Sequence, residues 1–280
     1  KIGLIGNPNV GKSLIFSHLT GIGVEVSNYP GTTVDILSGV SCINRLPVEI
    51  TDLPGIYSLD GESDEERLVR DLVTSRSFDV LVMVLDAAHL ERNLYLFLQV
   101  LEHQVPMIAV LNMADEAEEQ GISINTQAFS DICGVPVLLT AATIGKNLPE
   151  IIPLALEKAA IGHFQVSYDR HIEAAIRTLG RLSGADRISV LLALQGIGTD
   201  VLLLEGAATI AKEIEEEHQM PVSRILAGNR HHAATELSKQ VITRAPVKES
   251  RGPDRWLLRP FPGVLIMAGV LISLLLCVFM

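Results

Sequence analysis

Eight residues near the start of the chain have the types and the spacing that bind a nucleoside phosphate. They read G-x-x-x-x-G-K-S and end in Gly11, Lys12 and Ser13. In such a loop backbone N–H groups point at phosphate oxygens, the lysine reaches the β- and γ-phosphates, and the serine hydroxyl holds Mg²⁺. The predicted phosphate-binding residues are Gly6, Asn7, Pro8, Asn9, Val10, Gly11, Lys12 and Ser13.

The residues on both sides of this loop support the interpretation. The apolar run 1–5 predicts a buried strand, and residues 14–19 predict the first turns of a helix. A helix that starts directly after the loop adds a partial positive charge at the phosphates. The alternative is a glycine-rich turn that matches the motif by chance, and that turn would not require a strand before it and a helix after it.

A second motif, D-x-x-G, follows another apolar run. It consists of Asp52, Leu53, Pro54 and Gly55. The Asp52 carboxylate is suited to hold Mg²⁺ through water, and the Gly55 N–H is suited to bind a γ-phosphate. Short matches of this kind are common, but a position downstream of a phosphate-binding loop, at the end of a strand, makes this one informative.

A third motif, N-x-x-D, comprises Asn112, Met113, Ala114 and Asp115. A carboxylate at Asp115 accepts hydrogen bonds from N1–H and the exocyclic amino group of guanine. Adenine lacks this donor pair and would leave a buried charge unpaired. The alternative role for Asp115 is a helix cap, but a strand end beside the phosphate site favours guanine recognition.

Two segments are suited to respond to the γ-phosphate. The first is 28–35, where Thr32 and Thr33 are both chemically able to close over Mg²⁺ and phosphate. The second is the partly acidic segment Tyr57–Asp71. We expect both to be mobile loops that become ordered with nucleoside triphosphate.

Strand and helix patterns alternate over residues 1–160 and predict a doubly wound, mostly parallel α/β sheet, with its ligand beyond the carboxyl ends of the strands. The predicted strands are Ile2–Gly6, Gly39–Ile43, Val48–Asp52, Val80–Asp86, Met107–Asn112 and Pro136–Thr140. The predicted helices are Ser13–Thr20, Asp64–Ser75, Arg92–His103, Thr126–Cys133 and Leu148–Ala160.

The following stretch, from about residue 165 to 255, is predicted to be helical, because its apolar residues recur with a period of 3.6. The predicted helices are Tyr168–Leu182, Arg187–Leu194, Asp200–Glu217 and Val222–Arg244. We find no catalytic cluster here, so a helical packing domain is the simplest interpretation. Its position between the first domain and the C-terminal apolar run suits a domain that couples the two.

Composition narrows the classes of function. The formal net charge of −11 argues against a nucleic-acid binder, which needs a basic face. The three cysteines form no C-x-x-C pair and predict neither a disulfide framework nor a zinc site. The pair His231 and His232 has no third ligand at helical spacing, so we interpret both as surface or core residues.

Residues 263–280 contain no charge and are a candidate for the start of a transmembrane helix, since a span takes about twenty apolar residues. Arg251, Arg255 and Arg259 precede the run, which predicts that the domain before it is cytoplasmic. We therefore expect part of a longer membrane protein, in contact with the lipid bilayer.

The order of the motifs resembles that of TRAFAC-class GTPases and, more closely, that of the FeoB family, the ferrous iron transport protein B of prokaryotes. The resemblance rests on GNPNVGKS, NYPGTTVD, DLPGIYSL followed by SDEERLVRD, and NMAD. It covers the first domain strongly, the second weakly and the membrane start by position. It implies that Thr33 is the first-switch threonine and that Asn9 is a candidate ligand for K⁺.

Two further positions qualify what the resemblance implies. Ile56 stands where many Ras-like proteins carry a catalytic glutamine, which implies slow hydrolysis or a different arrangement of the catalytic groups. The match of Asn9 implies that potassium stimulates this hydrolysis. The last guanine-contacting segment, usually S-A-x, is Thr140, Ala141 and Ala142 here, followed by Thr143, so only backbone contacts carry over. We expect hydrolysis to depend on Lys12, Thr33, Asn9 and Gly55, and Mg²⁺ to be held by Ser13, Thr33 and Asp52.

Three regions are therefore predicted: a P-loop GTPase domain at 1–162, a helical coupling domain at 163–256, and the start of the first transmembrane helix at 257–280. The implied function is GTP binding and hydrolysis that gates or drives Fe²⁺ uptake, with no nucleic-acid partner and with the homo-oligomeric state left open. The alternative is a membrane-anchored or RNA-related regulatory GTPase that acts as a macromolecular switch. Further apolar spans in a longer sequence would favour transport.

Overall fold

The computed structural model describes residues 1–20, 24–28, 34–43, 46–245 and 260–279. Its main sheet contains β1 (Ile2–Gly6), β2 (Glu25–Asn28), β3 (Asp35–Ile43), β4 (Leu46–Asp52), β5 (Val80–Asp86), β6 (Met107–Asn112) and β8 (Val137–Leu139). The strand order is β2-β3-β4-β1-β5-β6-β8. The five strands from β4 to β8 in this order are parallel, whereas β3 is antiparallel to β4, and β2 to β3.

Six helices accompany the sheet. They are α1 (Lys12–Leu19), α2 (Asp64–Thr74), α3 (Leu90–Glu102), α4 (Ala114–Glu119), α5 (Thr126–Cys133) and α6 (Ile151–Lys158), with 3₁₀ turns at Ala142–Ile144 and Leu148–Glu150. Helix α2 begins with a capping box, in which Ser63 and Glu66 each accept the other's backbone N–H. The doubly wound α/β class expected from the sequence is therefore confirmed.

The central strands are apolar throughout because helices cover both faces of the sheet. Along β1, Leu4 packs into the core that α1 and α6 complete, whereas Ile5 packs into the core on the other face. Along β5, Val82 and Val84 face the first core, and Met83 faces the second. This alternation with a period of two is the geometry of a strand buried on both sides.

Four helices follow: α7 (Arg170–Ser183), α8 (Arg187–Ala193), α9 (Val201–His218) and α10 (Val222–Val241). Three of them begin at an aspartate whose side chain accepts backbone N–H bonds of the first turn: Asp169, Asp186 and Asp200. Their apolar faces join the core on the α3 side of the sheet, and α10 packs on α3 and α5.

Several parts of the chain differ from the sequence-based expectation. Strand β2 and helix α4 were not predicted, and Asn28 and Asp35, at the ends of the expected mobile segment 28–35, lie in β2 and β3. The helix predicted to end at Arg244 stops at Val241, and Ile242–Arg244 forms β9, which pairs antiparallel with β7 (Ile122–Ile124). The pairing partner lies 120 positions earlier, so helical periodicity could not reveal it. The segment Tyr57–Asp71, expected to be one mobile loop, includes the first turns of α2.

The C-terminal apolar stretch forms α11 (Pro260–Phe279), whose described side chains are mostly exposed. Among the ranges that the structure describes, we find no helix with the length and apolar character needed to cross a membrane. The transmembrane segment predicted at 257–280 is therefore not confirmed by the structure.

Candidate nucleotide-binding site

The loop between β1 and α1 packs so closely that two of its positions, Gly6 and Gly11, have no room for a side chain. A Cβ on Gly6 would lie 2.3 Å from the carbonyl oxygen of Val84, and one on Gly11 would lie 2.3 Å from Nδ2 of Asn112. Gly11 also has a φ of +82°, a conformation that favours glycine. Asn9, at the exposed turn of the loop, adopts a φ of +64°. The loop therefore folds closely around the end of the sheet, as a phosphate-binding loop requires.

The Asp52 carboxylate joins the loop to the end of β4. Strands β1 and β4 are parallel with Leu4 opposite Asp52, which brings the end of β4 beside the loop. Lys12 Nζ lies 2.5 Å from one Asp52 oxygen, and Ser13 Oγ lies 2.9 Å from the other. Lys12 and Asp52 are both buried. The hydroxyl and carboxylate oxygens are ligands that Mg²⁺ prefers, so this donor set fits the ion.

The D-x-x-G residues continue from Asp52 across the loop. Leu53 is buried, and its N–H donates to the carbonyl of Leu4. A Cβ on Gly55 would lie 3.0 Å from Cα of Pro8, so a glycine permits the close approach of the two segments. Pro54 lies between Leu53 and Gly55 in sequence. The Ile56 side chain is buried in the core, so it does not reach the cavity as a water-positioning group.

Asn112 holds three segments together at the end of β6. Its Nδ2 donates to the carbonyl of Val10 at 2.9 Å, and its Oδ1 accepts from Thr140 Oγ1 at 3.2 Å and from the Ala142 N–H at 3.0 Å. Asn112, Thr140 and Ala142 are all buried. The side chain therefore braces the phosphate loop against the segment that follows β8, a role that the sequence motif did not specify.

Asp115 lies in the first turn of α4, directly after Met113, which has a φ of +60°. Thr143 Oγ1 donates to Asp115 Oδ2 at 2.9 Å. This hydrogen bond holds the pKa of Asp115 below its usual value, against a smaller opposing effect of burial. Thr143 was not among the predicted site residues, and only its place in the T-A-A-T segment with Ala141 could have suggested it.

A cavity of about 500 Å³ opens at this end of the sheet. Its lining residues are Asn7, Pro8, Asn9, Gly11, Lys12, Ser13, Leu14, Gly55 and Met113. This volume lies in the range of small-molecule sites. The structure thus brings together the three predicted motifs, while Thr32 and Thr33 lie outside the described residues.

A parallel-stranded sheet, a G-x-x-x-x-G-K-S loop after its first strand and a carboxylate beside that loop define a P-loop protein with the GTPase fold. Residues 1–154 match the family model of the ferrous iron transport protein B N-terminal region. This match covers more than half of the chain, and the chain therefore belongs to the FeoB family.

Curated relatives agree with this assignment. The Fe(2+) transporter FeoB of Salmonella choleraesuis is 32% identical over 96% of this chain and 37% of its own length. The FeoB of Campylobacter jejuni is 40% identical over 53% of this chain and 24% of its own length. The chain spans well under half the length of either relative.

Solved structures have the same fold. The GDP-bound G-domain of S. thermophilus FeoB, in a mutant form, superposes with a TM-score of 0.76 at 31% identity, covering 86% of this chain and 99% of that one. The cytosolic domain of L. pneumophila FeoB gives 0.75 at 31% identity, with 87% and 99% covered. The GMPPNP form of the T. maritima cytosolic domain gives 0.75 at 28% identity, with 86% and 98% covered.

Proposed function

We propose that this chain is the GTP-binding and GTP-hydrolysing part of a membrane transporter for Fe²⁺. The observation that carries the proposal is the Asp52 carboxylate, which contacts Lys12 and Ser13 at once and so joins the P-loop to the D-x-x-G motif. Relatives named Fe(2+) transporters and neighbours solved with GDP or GMPPNP support it.

In this proposal different site residues bind different parts of the nucleotide. Lys12 and the loop N–H groups bind the β- and γ-phosphates, and Ser13, Asp52 and Thr33 hold Mg²⁺, which neutralises phosphate charge when bound. The Gly55 N–H binds the γ-phosphate, with Thr32 and Thr33 closing over it. Asp115 accepts the guanine donors, and the backbone of Ala141 and Ala142 completes the base pocket.

Hydrolysis by this site is expected to be slow and to respond to potassium. The buried Ile56 side chain cannot orient a water molecule, while the exposed Asn9 lies at the cavity with an amide oxygen suited to K⁺. A monovalent cation there would take the charge-neutralising part of an arginine finger. Faster turnover in K⁺ than in Na⁺ at matched ionic strength, reduced by Asn9→Ala, is the expected result. Equal rates in the two salts would contradict it.

We further propose that residues 1–162 form the GTPase domain, that 163–256 form a helical coupling domain, and that 257–280 enter the inner membrane from the cytoplasmic side. The contacts of α10 with α3 and α5 support a coupling role. Ligand binding shifts a two-state equilibrium only through its different affinity for the two states. The γ-phosphate contacts proposed for Gly55 and Thr33 would supply that difference between GTP and GDP.

The test is ferrous iron accumulation by the longer protein in cells that lack other ferrous importers. Lys12→Ala and Asp115→Ala should abolish uptake, while each variant remains in the membrane at the unmodified abundance. Thr33→Ala should retain GDP binding and still impair uptake. If the Lys12 and Asp115 variants lose GTP binding but transport at the unmodified rate, GTP is not coupled to iron movement, and a regulatory GTPase becomes the better account.

A further inference from the structure

Three side chains with metal-binding atoms meet where the start of α7 lies against the end of α9. They are Asp169, His171 and His218, with Glu217 beside His171, and none of them belongs to the candidate nucleotide site. We propose that these residues form a binding site for one divalent transition-metal ion. The site joins two helices of the segment that follows the GTPase fold.

The distances between the candidate ligand atoms match those around a single ion. His171 Nδ1 lies 3.1 Å from His218 Nε2, 3.5 Å from Asp169 Oδ1 and 3.4 Å from Glu217 Oε2. His218 Nε2 lies 3.4 Å from the same Asp169 oxygen. Bonds of 2.0–2.2 Å to a tetrahedral or octahedral ion place neighbouring ligand atoms about 3.0–3.5 Å apart. The ligand atoms of Asp169, His171 and His218 therefore need little movement to surround an ion, whereas Glu217 would have to move to join them.

Local structure holds three of these side chains in place before any ion binds. Asp169 is the N-cap of α7, and its Oδ1 accepts the His171 N–H at 2.8 Å, which aims the carboxylate across the first turn. His218 is the last residue of α9, which packs along α7. The side chains of Asp169, His171 and His218 are only 26–30% exposed. A site ordered in this way loses little conformational entropy on binding.

The same groups could instead form only a hydrogen-bonded network, in which one histidine donates to the other. Arg170 bears on this choice, because its Nε donates to His171 Nε2 at 3.1 Å. An ion at Nδ1 requires the imidazole proton on Nε2, which ends that hydrogen bond. The Arg170 side chain is 81% exposed, and its Nη2 lies 3.8 Å from Glu217 Oε1, so solvent can replace both of these contacts. Metal binding and the Arg170 contact therefore compete.

The donor set indicates the class of ion. Two imidazole nitrogens with one carboxylate suit Zn²⁺, Fe²⁺ and Co²⁺, whereas Mg²⁺ and Ca²⁺ prefer oxygen ligands only. Affinity should follow the general order in which Zn²⁺ exceeds Mn²⁺ and Fe²⁺. This inference does not depend on the proposed iron transport, because the geometry alone carries it.

The test is titration of the untagged chain with Co²⁺ and Zn²⁺, and with Fe²⁺ without oxygen, in excess Mg²⁺ to saturate oxygen-only sites such as Asp52 and Ser13. We expect one equivalent of Co²⁺ to bind with visible absorption bands of nitrogen coordination. His171→Asn and His218→Gln, which keep the shape of the ligating arms, should each weaken binding about tenfold or more. The matched control is His232→Gln, an exposed histidine on α10, which should bind as the unmodified chain does.

A second pair of measurements separates an ion site from a purely structural network. Arg170→Ala should tighten Co²⁺ binding, and Zn²⁺ should raise the melting temperature of the unmodified chain but not that of His218→Gln. The proposal is overturned if the two histidine variants bind Co²⁺ as tightly as the unmodified chain. It is equally overturned if all forms, each shown by circular dichroism to be folded, bind no ion in excess Mg²⁺.

Discussion

At the scale of single residues, the hydroxyl of Thr143 changes the ionisation of Asp115, the residue proposed to bind guanine. The hydrogen bond lowers the pKa of Asp115, so the carboxylate stays ionised as the pH falls below the range where an unpaired aspartate begins to titrate. In the proposed site the ionised form is the one that would accept two guanine donors. Preference for guanine should therefore be present above this lowered pKa and disappear as the pH falls through it.

Replacing Asp115 should remove the discrimination between bases. Asp115→Ala is expected to cost roughly 2–4 kcal/mol of preference for GTP over ATP, because the guanine donors lose their partner. Calorimetric titration with both nucleotides measures the difference. Glu116→Ala is the matched control, since the neighbouring carboxylate is exposed. Similar affinities of the unmodified chain for GTP and ATP would refute the assignment.

Substituting alanine at two glycines with nearly the same backbone conformation would distinguish the cost of backbone strain from the cost of steric crowding. Gly11 and Gly145 have φ values of +82° and +70°, but only Gly11 has a neighbour, Asn112, in the space of a Cβ. Gly145→Ala should lower the free energy of unfolding by about 1 kcal/mol from strain alone. Gly11→Ala should cost more and should also weaken nucleotide binding, because the Asn112 amide must move. Urea denaturation compares the two, and equal costs would show that crowding plays no part.

At the scale of elements, Arg230 links α10 to the segment that follows the D-x-x-G motif. The side chain is 1% exposed, and its guanidinium contacts Asp60 Oδ2 at 2.5 Å and Glu102 Oε2 at 3.0 Å. Tyr168 donates to the other oxygen of Glu102 at 2.6 Å. Gln99 also donates to Asp60, at 2.7 Å. Residues of α3, α10 and the 58–60 turn thus form one buried polar cluster.

Removing Arg230 should destabilise the fold strongly. Arg230→Ala leaves the buried carboxylate of Glu102 and the partly buried one of Asp60 without their cation, and breaking a buried pair in this way costs about 3–5 kcal/mol. The free energy of unfolding in urea is the measurement. Arg224→Ala, on the exposed side of the same helix, should change it little. A loss below 1 kcal/mol at Arg230 would indicate that the cluster is hydrated and contributes little.

The difference between what the sequence predicted and what it did not follows from the range of the interactions. Strands β1, β5 and β6 were predicted at their observed bounds, because continuous apolar runs identify strands covered on both faces. The three-residue strands β7 and β9 were missed, since each exists only through the other. Arg230 was missed as a core residue because arginine is mostly exposed, and its partners lie 128 and 170 positions away.

At the scale of the whole molecule, one core extends from the sheet into α7–α10, and acid should disturb it through His103. This buried side chain at the end of α3 has its pKa lowered from 6.5 to about 4, chiefly by burial and also by the charge of Arg230. The folded state thus favours neutral imidazole. The contribution of the neutral His103 imidazole to the free energy of unfolding is fully present above pH 6.5. It is lost progressively as the pH falls toward about 4.

His103→Gln should therefore flatten the dependence of stability on pH in that window. The unmodified chain should lose roughly 3 kcal/mol through this residue between the two limits, by linkage. Urea denaturation of both forms at several pH values provides the comparison, and carboxylates that titrate in the same window cancel in the difference. Parallel curves for the two forms would mean that the imidazole is hydrated in the folded state.

The pairing of β7 with β9 has a consequence for where this chain can be divided. If the chain were cut after Val241, Ile122–Ile124 would lose the partner whose backbone groups it bonds. It would then present an open strand edge, and such edges recruit strands from other molecules. A fragment that ends at Ala245 keeps this edge closed, since the Ala245 N–H also bonds to Gly121. Strand β9 therefore closes one strand edge of the GTPase fold, although helices α7 to α10 lie between β9 and that fold in sequence.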